Sequence, residues 1–218
     1  RQIPLRAVIV AMAMNLVVLF LFGLRLAAIL DAKTLPCFLI TTVGMTFNSL
    51  MPFRLGEGVK IYCGNAIFRL PLGRLGAAVV MEKLYDLSML LGLIAIVATT
   101  ANASVVAGGR QAVLTLAIVL PLLGLLILRA RVTGAIEPPS ARPILKRLGL
   151  DRIAAEARSL FRRQNFSRPA LFSLLIWGTN ITLALIFFRT VVPETNFNLL
   201  DAMTVMVVAA LAIALPLS

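Results

Sequence analysis

Residues 7–30 read AVIVAMAMNLVVLFLFGLRLAAIL, a run of 24 residues in which Arg25 is the only charged side chain. At about 1.5 Å per residue, a helix of this length crosses a hydrocarbon core about 30 Å thick. The run therefore predicts a transmembrane helix. Arg25 lies near its outer end, where a long cationic side chain can extend to the membrane interface.

The rest of the chain has the same character. Of its 218 residues, 60% are hydrophobic and 14% are charged, whereas soluble domains have about 45–50% and about 25%. This composition leaves too little polar surface for a water-soluble protein, and it predicts an all-α, polytopic transmembrane helix bundle. The chain has no histidine, which excludes Ser-His-Asp triads and His-ligated zinc sites.

Six hydrophobic segments predict one transmembrane domain over residues 1–218, with spans at 7–30, 35–52, 75–99, 112–130, 169–192 and 199–218. Polar residues interrupt the second segment and Pro52 closes it, so this segment is either a short crossing helix or a re-entrant or broken one. The chain begins at Arg1 and ends within an apolar run. We therefore expect it to be truncated at both ends, with further helices of the protein on one or both sides.

The distribution of Lys and Arg predicts the orientation. Ten of them lie between residues 129 and 168, which makes the loop 131–168 cytoplasmic by the positive-inside rule. Counting spans outward from this loop places Arg6 and Arg74 inside and Lys33 outside, with 16 of the 21 cations on the cytoplasmic side. The net charge of +12 therefore reflects membrane topology rather than nucleic-acid binding.

Residues 48–57, NSLMPFRLGE, form the first polar interruption of the apolar pattern. Pro52 and Gly56 predict a break in the helix. Helix-end N–H groups beside Arg54 would make an anion site, because both favour phosphate. Glu57 would hold Arg54 in place or act as a proton-linked group. The alternative is an ordinary cytoplasmic turn capped by charged residues.

Residues 82–86, EKLYD, form the second interruption, inside the third predicted span. Each charged group at such a depth costs about 2.5–3.5 kcal/mol on translocon scales, so these side chains should face the protein interior and be paired. Glu82 and Asp86 share a helix face, and the spacing predicts a local pair between Lys83 and Asp86. Glu82 then needs another cation, for which Arg54 is the candidate. A purely structural ion-pair network is the alternative.

Together the two interruptions resemble the signature of the lysylphosphatidylglycerol synthase transmembrane-region family, also called the flippase-like domain family. NSLMPFRLGEGVKIY at 48–62 matches its Asn and Pro-x-Arg-x-Gly-Glu pattern, and VVMEKLYDL at 79–87 matches its Glu-Arg-x-x-Asp motif, with Lys83 where Arg is commoner. The sequence LPLS at 215–218 is similar to the start of the family's closing Pro-x-Ser motif.

The resemblance implies a multi-pass protein of the bacterial or archaeal cytoplasmic membrane that moves a lipid headgroup between leaflets. Anionic or modified lipids would be its partners, such as aminoacyl-phosphatidylglycerol or polyprenyl- or hopanoid-pathway lipids. No cofactor, metal, nucleic acid or enzymatic activity is expected. The candidate headgroup-binding residues are Asn48, Arg54, Glu57, Glu82, Lys83 and Asp86, with Pro52 and Gly56 at the helix break. The alternative function is a non-transporting membrane anchor or regulatory subunit of a lipid- or glycan-modifying enzyme.

Overall fold

The structure is a computed structural model that describes residues 5–51, 55–100, 167–192, 194 and 196–214. These residues form the helices α1 (Leu5–Leu30), α2 (Thr34–Leu50), α3 (Gly56–Ala66), α4 (Leu72–Thr100), α5 (Ser167–Val191) and α6 (Leu199–Ala214). The predicted all-helical fold class is confirmed. The predicted span 112–130, and the basic loop 131–168 except its last two residues, lie outside the described residues.

Among the described helices, α1 and α5 are long and apolar enough to cross a membrane, and α2 and α6 are apolar but shorter. Large apolar side chains are exposed along both long helices; Leu16, for example, is 64% exposed and Leu174 is 57% exposed. Exposed apolar surface of this extent is unfavourable in water and is typical of helices that face lipid.

Helices α2 and α3 form an antiparallel hairpin in which glycines bring the two backbones together. A Cβ atom added at Gly44, within α2, would lie 3.0 Å from the Gly56 carbonyl oxygen and 3.1 Å from Lys60 Cβ. At the other end of α3, a Cβ at Gly64 would lie 3.4 Å from Ile40. The contacts therefore run in opposite directions along the two helices, as they do in an antiparallel pair. Small residues at such an interface are typical of closely packed membrane helices.

The hairpin enters the bundle to about half the length of α4. Gly64 lies beside Leu75, near the start of α4, and Lys60 Nζ lies 2.7 Å from the Glu82 carboxylate, so α3 is antiparallel to α4. The 17 residues of α2 extend about 25 Å, and α3 then returns the chain to the end at which α2 began. The hairpin is therefore re-entrant and does not cross the bundle.

This geometry agrees with the re-entrant alternative for the second segment and corrects the predicted placement of the charges on either side of it. The Arg74 guanidinium, near the start of α4, donates a hydrogen bond to the carbonyl of Leu30, the last residue of α1. Lys33 and Arg74, which the charge count placed on opposite sides of the membrane, therefore lie at the same end of the bundle. The prediction was wrong because it treated residues 53–74 as a loop, whereas α3 takes the chain back.

Two apolar clusters follow each other along the bundle. The first joins α1, α2 and α4 through residues such as Leu26 and Ile40, and Ala170 near the start of α5 packs against it. The second joins Leu93 of α4 to Ile181 of α5 and to two residues of α6, Ala202 and Val207. Helix α5 is therefore parallel to α4 and begins at the same end. We call this end, formed by residues 30–34, 66–74 and 167–169, the hairpin end.

Candidate functional site

A cavity of about 120 Å³ lies between α1, the hairpin and α4. A cavity of this volume has room for several water molecules or a small polar group. Its lining includes three acidic and three basic side chains, which are Arg25, Glu57, Lys60, Glu82, Lys83 and Asp86. We call it the ionic cavity. Within the described residues its formal charges balance.

Asn48 and Gly56 set the geometry at the inner end of the hairpin. Helix α2 ends at Leu50 and α3 begins at Gly56, whose N–H donates a 2.8 Å hydrogen bond to Asn48 Oδ1. This bond satisfies one of the free N–H groups at the start of α3. Pro52 and Arg54 lie outside the described residues.

A buried ion pair joins the hairpin to α4. Lys60 Nζ donates a 2.7 Å hydrogen bond to Glu82 Oε2, and both residues are buried. Arg25 Nε lies 3.8 Å from the other Glu82 oxygen. The predicted partner of Glu82 is Arg54, which lies outside the described residues. Among the described residues, the cations beside Glu82 are Lys60 and Arg25.

Arg25 connects three helices, and its predicted extension to the membrane interface is wrong. It is 1% exposed, and its two terminal nitrogens donate to the two oxygens of Asp86 on α4 at 2.6 and 3.3 Å. Nη1 also donates to Ser173 Oγ on α5 at 3.2 Å, and the guanidinium lies over the Phe22 ring, 4.9 Å from its centroid. A paired guanidinium held bidentately by a carboxylate is stable in a buried site.

Lys83 and Glu57 form the outer ion pair of the cavity. Lys83 Nζ lies 2.6 Å from Glu57 Oε1, and the Lys83 side chain is 56% exposed. The predicted local pair between Lys83 and Asp86 is therefore wrong. Asp86 is engaged by the buried guanidinium of Arg25, while Lys83 reaches from α4 to the hairpin.

Four buried polar atoms of residues that line the cavity make no hydrogen bond: Glu82 Oε1, Glu57 Oε2, Thr41 Oγ1 and Arg25 Nε. Lys60 Nζ is 3.8 Å from Glu57 Oε2, which is too long for a hydrogen bond. Two of the four atoms are carboxylate oxygens and accept only, the hydroxyl both accepts and donates, and Arg25 Nε donates. The three oxygens therefore suit a group that donates hydrogen bonds, such as an ammonium or a set of hydroxyls.

The acidic side chains of the ionic cavity lie against cations. Within the described ranges, no group of three or more His, Cys, Asp or Glu side chains is placed to hold a metal ion.

Apolar helices of membrane-spanning length and a buried ionic cavity beside a re-entrant hairpin together define an integral membrane protein with a polar interior. The chain belongs to the family described as the lysylphosphatidylglycerol synthase TM region, whose sequence model matches residues 1–218. The family suggested by the two motifs is therefore confirmed. No curated protein and no solved structure matches the chain.

Proposed function

We propose that this chain is a flippase-like membrane protein that takes a lipid headgroup into the ionic cavity and passes it between leaflets. The observation that carries the proposal is the placement of six ionisable side chains around a cavity, half-way along an apolar bundle. Charged groups are costly at this depth and mark substrate pathways in membrane proteins. Membership of a flippase-like family supports the same function.

The unpartnered atoms favour a headgroup that donates hydrogen bonds. Glu82 and Glu57 each have one buried oxygen without a donor, and Thr41 lies with them on the cavity lining. An ammonium or hydroxyl of an aminoacylated or polyol headgroup would satisfy these oxygens. A lipid phosphate would instead need a free cation, and the predicted role of Arg54 in binding it stays a prediction.

The ion pairs between the hairpin and α4 can break and re-form, which would allow the helices two arrangements. Lys60 pairs with Glu82, and Glu57 pairs with Lys83, so a donor group that binds the carboxylates competes with these lysines. Binding would weaken the hold of α4 on the hairpin and favour a second arrangement of the helices. This cycle moves a headgroup and makes or breaks no covalent bond, so we propose no enzymatic activity.

A reconstitution assay tests the proposal. Full-length protein is reconstituted in vesicles that contain lysyl-phosphatidylglycerol with a labelled acyl chain, and a membrane-impermeant quencher is added outside. If the protein moves this lipid between leaflets, the quencher should reach the label of both leaflets. Glu82→Gln keeps the size of the side chain and removes the charge, and it should slow movement at least about tenfold, which is about 1.4 kcal/mol of barrier. Asp31→Asn is the matched control, because Asp31 is exposed and its left-handed backbone (φ 47°) suits asparagine.

Equal rates in the wild type, Glu82→Gln and Asp31→Asn would contradict the role assigned to the ionic cavity. Failure of the wild type to move the labelled lipid, or labelled phosphatidylglycerol, would overturn the proposed transport. That result would favour the alternative of a non-transporting anchor or regulatory subunit.

A further inference from the structure

The two ends of the bundle differ in charge. Within the described residues, the hairpin end carries four cations and one acid, which are Lys33, Arg69, Arg74, Arg168 and Asp31. The opposite end, where α1 begins and α5 meets α6, carries two cations and two acids, which are Arg6, Arg189, Glu194 and Asp201. The formal charges are therefore +3 at the hairpin end and zero at the other.

The geometry points to the hairpin end as the cytoplasmic face, where its exposed cations Lys33, Arg69 and Arg168 contact the anionic lipid headgroups of that leaflet. Positive charge is enriched in cytoplasmic segments, and the cytoplasmic leaflet attracts basic side chains close to the membrane. The re-entrant hairpin then opens towards the cytoplasmic leaflet, and α1 begins on the opposite side of the membrane. This orientation of α1 is the reverse of the one that the charge count alone predicts.

Two further observations support the assignment. Nine more cations, between residues 129 and 163, precede α5 in the sequence, and α5 begins at the hairpin end. The connections that carry the other cations are also short. Residues 31–33 join α1 to α2 and residues 67–71 join α3 to α4, and each contains a non-glycine residue in the left-handed conformation, Asp31 (φ 47°) and Arg69 (φ 54°). Such tight connections keep Lys33 and Arg69 at this end of the bundle.

Cysteine accessibility in the full-length protein tests the orientation. Lys33→Cys reports on the hairpin end and Asn196→Cys on the opposite end; both residues are exposed, and Lys33 makes no side-chain capping bond. The wild type, with free Cys37 and Cys63 in the hairpin, gives the background. A membrane-impermeant maleimide should label Asn196→Cys in intact cells and Lys33→Cys only in inverted vesicles, each at least about tenfold above background.

The opposite pattern would overturn the assigned orientation, and labelling of both positions from one side would overturn the placement of the two ends. Neither result depends on lipid transport, so this test and the transport assay can fail separately.

The lipid contact is tested by thermal stability in vesicles with and without phosphatidylglycerol. The anionic lipid should raise the melting temperature of the wild type and of Arg6→Gln, a control at the opposite end. The double variant Lys33→Gln/Arg69→Gln should lose at least half of this increase. An equal increase in all three proteins would overturn the contact with anionic lipid.

Discussion

Replacing Gly56 by alanine should force α3 away from α2 and lower the free energy of unfolding by about 2–4 kcal/mol. The added Cβ would lie 2.0 Å from the Gly44 carbonyl oxygen and 2.5 Å from Asn48 Oδ1, where ordinary contacts are 3.4 Å or longer. The two helices would have to separate by more than 1 Å. Overpacking of this kind typically costs about 1–3 kcal/mol, and loss of the Asn48 cap adds about 1 kcal/mol.

Equilibrium unfolding of the full-length protein in mixed micelles, followed by far-ultraviolet circular dichroism, measures this loss. Gly58→Ala is the matched control, because Gly58 lies two residues away in α3 and its added Cβ meets nothing within 4 Å. The control should leave the stability unchanged or raise it by up to about 1 kcal/mol, as alanine favours the helix. Ordinary surface substitutions change the free energy of unfolding by up to about 0.5 kcal/mol. If the unfolding free energies of the two variants agree within this range, the close contact between Gly56 and α2 does not exist.

Two more predictions concern the buried charges and use the same unfolding measurement. Lys60→Met leaves Glu82 buried without its hydrogen-bonded cation and should cost about 3–5 kcal/mol. Adding Glu82→Gln should restore at least about 1 kcal/mol, since coupled pairs differ from additivity by about 0.5–3 kcal/mol; purely additive effects would contradict the pair. Arg25→Lys cannot keep both bonds to Asp86 and the bond to Ser173, and should cost about 1.5–3 kcal/mol. Arg6→Lys, at an exposed position, should cost nothing, and equal stability of these two variants would count against the three-helix connection.

Local patterns in the sequence predict the helical membrane fold, because an apolar run that faces lipid is visible without its neighbours. The run 7–30 lies within α1 and ends with it at Leu30. The same pattern left the second segment open between a crossing and a re-entrant helix, and it did not predict α3. Helix α3 has the sequence GEGVKIYCGNA, which contains no apolar run, and it is helical because glycines let it pack against α2 and α4.

The residues of the candidate site could likewise be predicted only in part. The acids Glu57, Glu82 and Asp86 were found because they belong to two short motifs. Their partners Arg25 and Lys60 were missed because pairing across the bundle joins residues 61 and 22 positions apart, beyond the reach of spacing rules within one helix. A signal was nevertheless present, because a charge inside an apolar run is costly whether it is acidic or basic. By this criterion Arg25 is as strong a candidate site residue as Glu82.

The half-length of the hairpin also predicts where the proposed transport meets its barrier. From Asp86 to the end of α4 at Thr100 there are about 21 Å of helix, and among the described residues this half of the bundle holds the second apolar cluster. In the proposed cycle, a headgroup that leaves the ionic cavity for the far leaflet must part Leu93 and Ile181 from α6. The proposed function therefore predicts that this apolar layer is the gate, and that the rate at which α6 moves aside limits how fast lipid crosses.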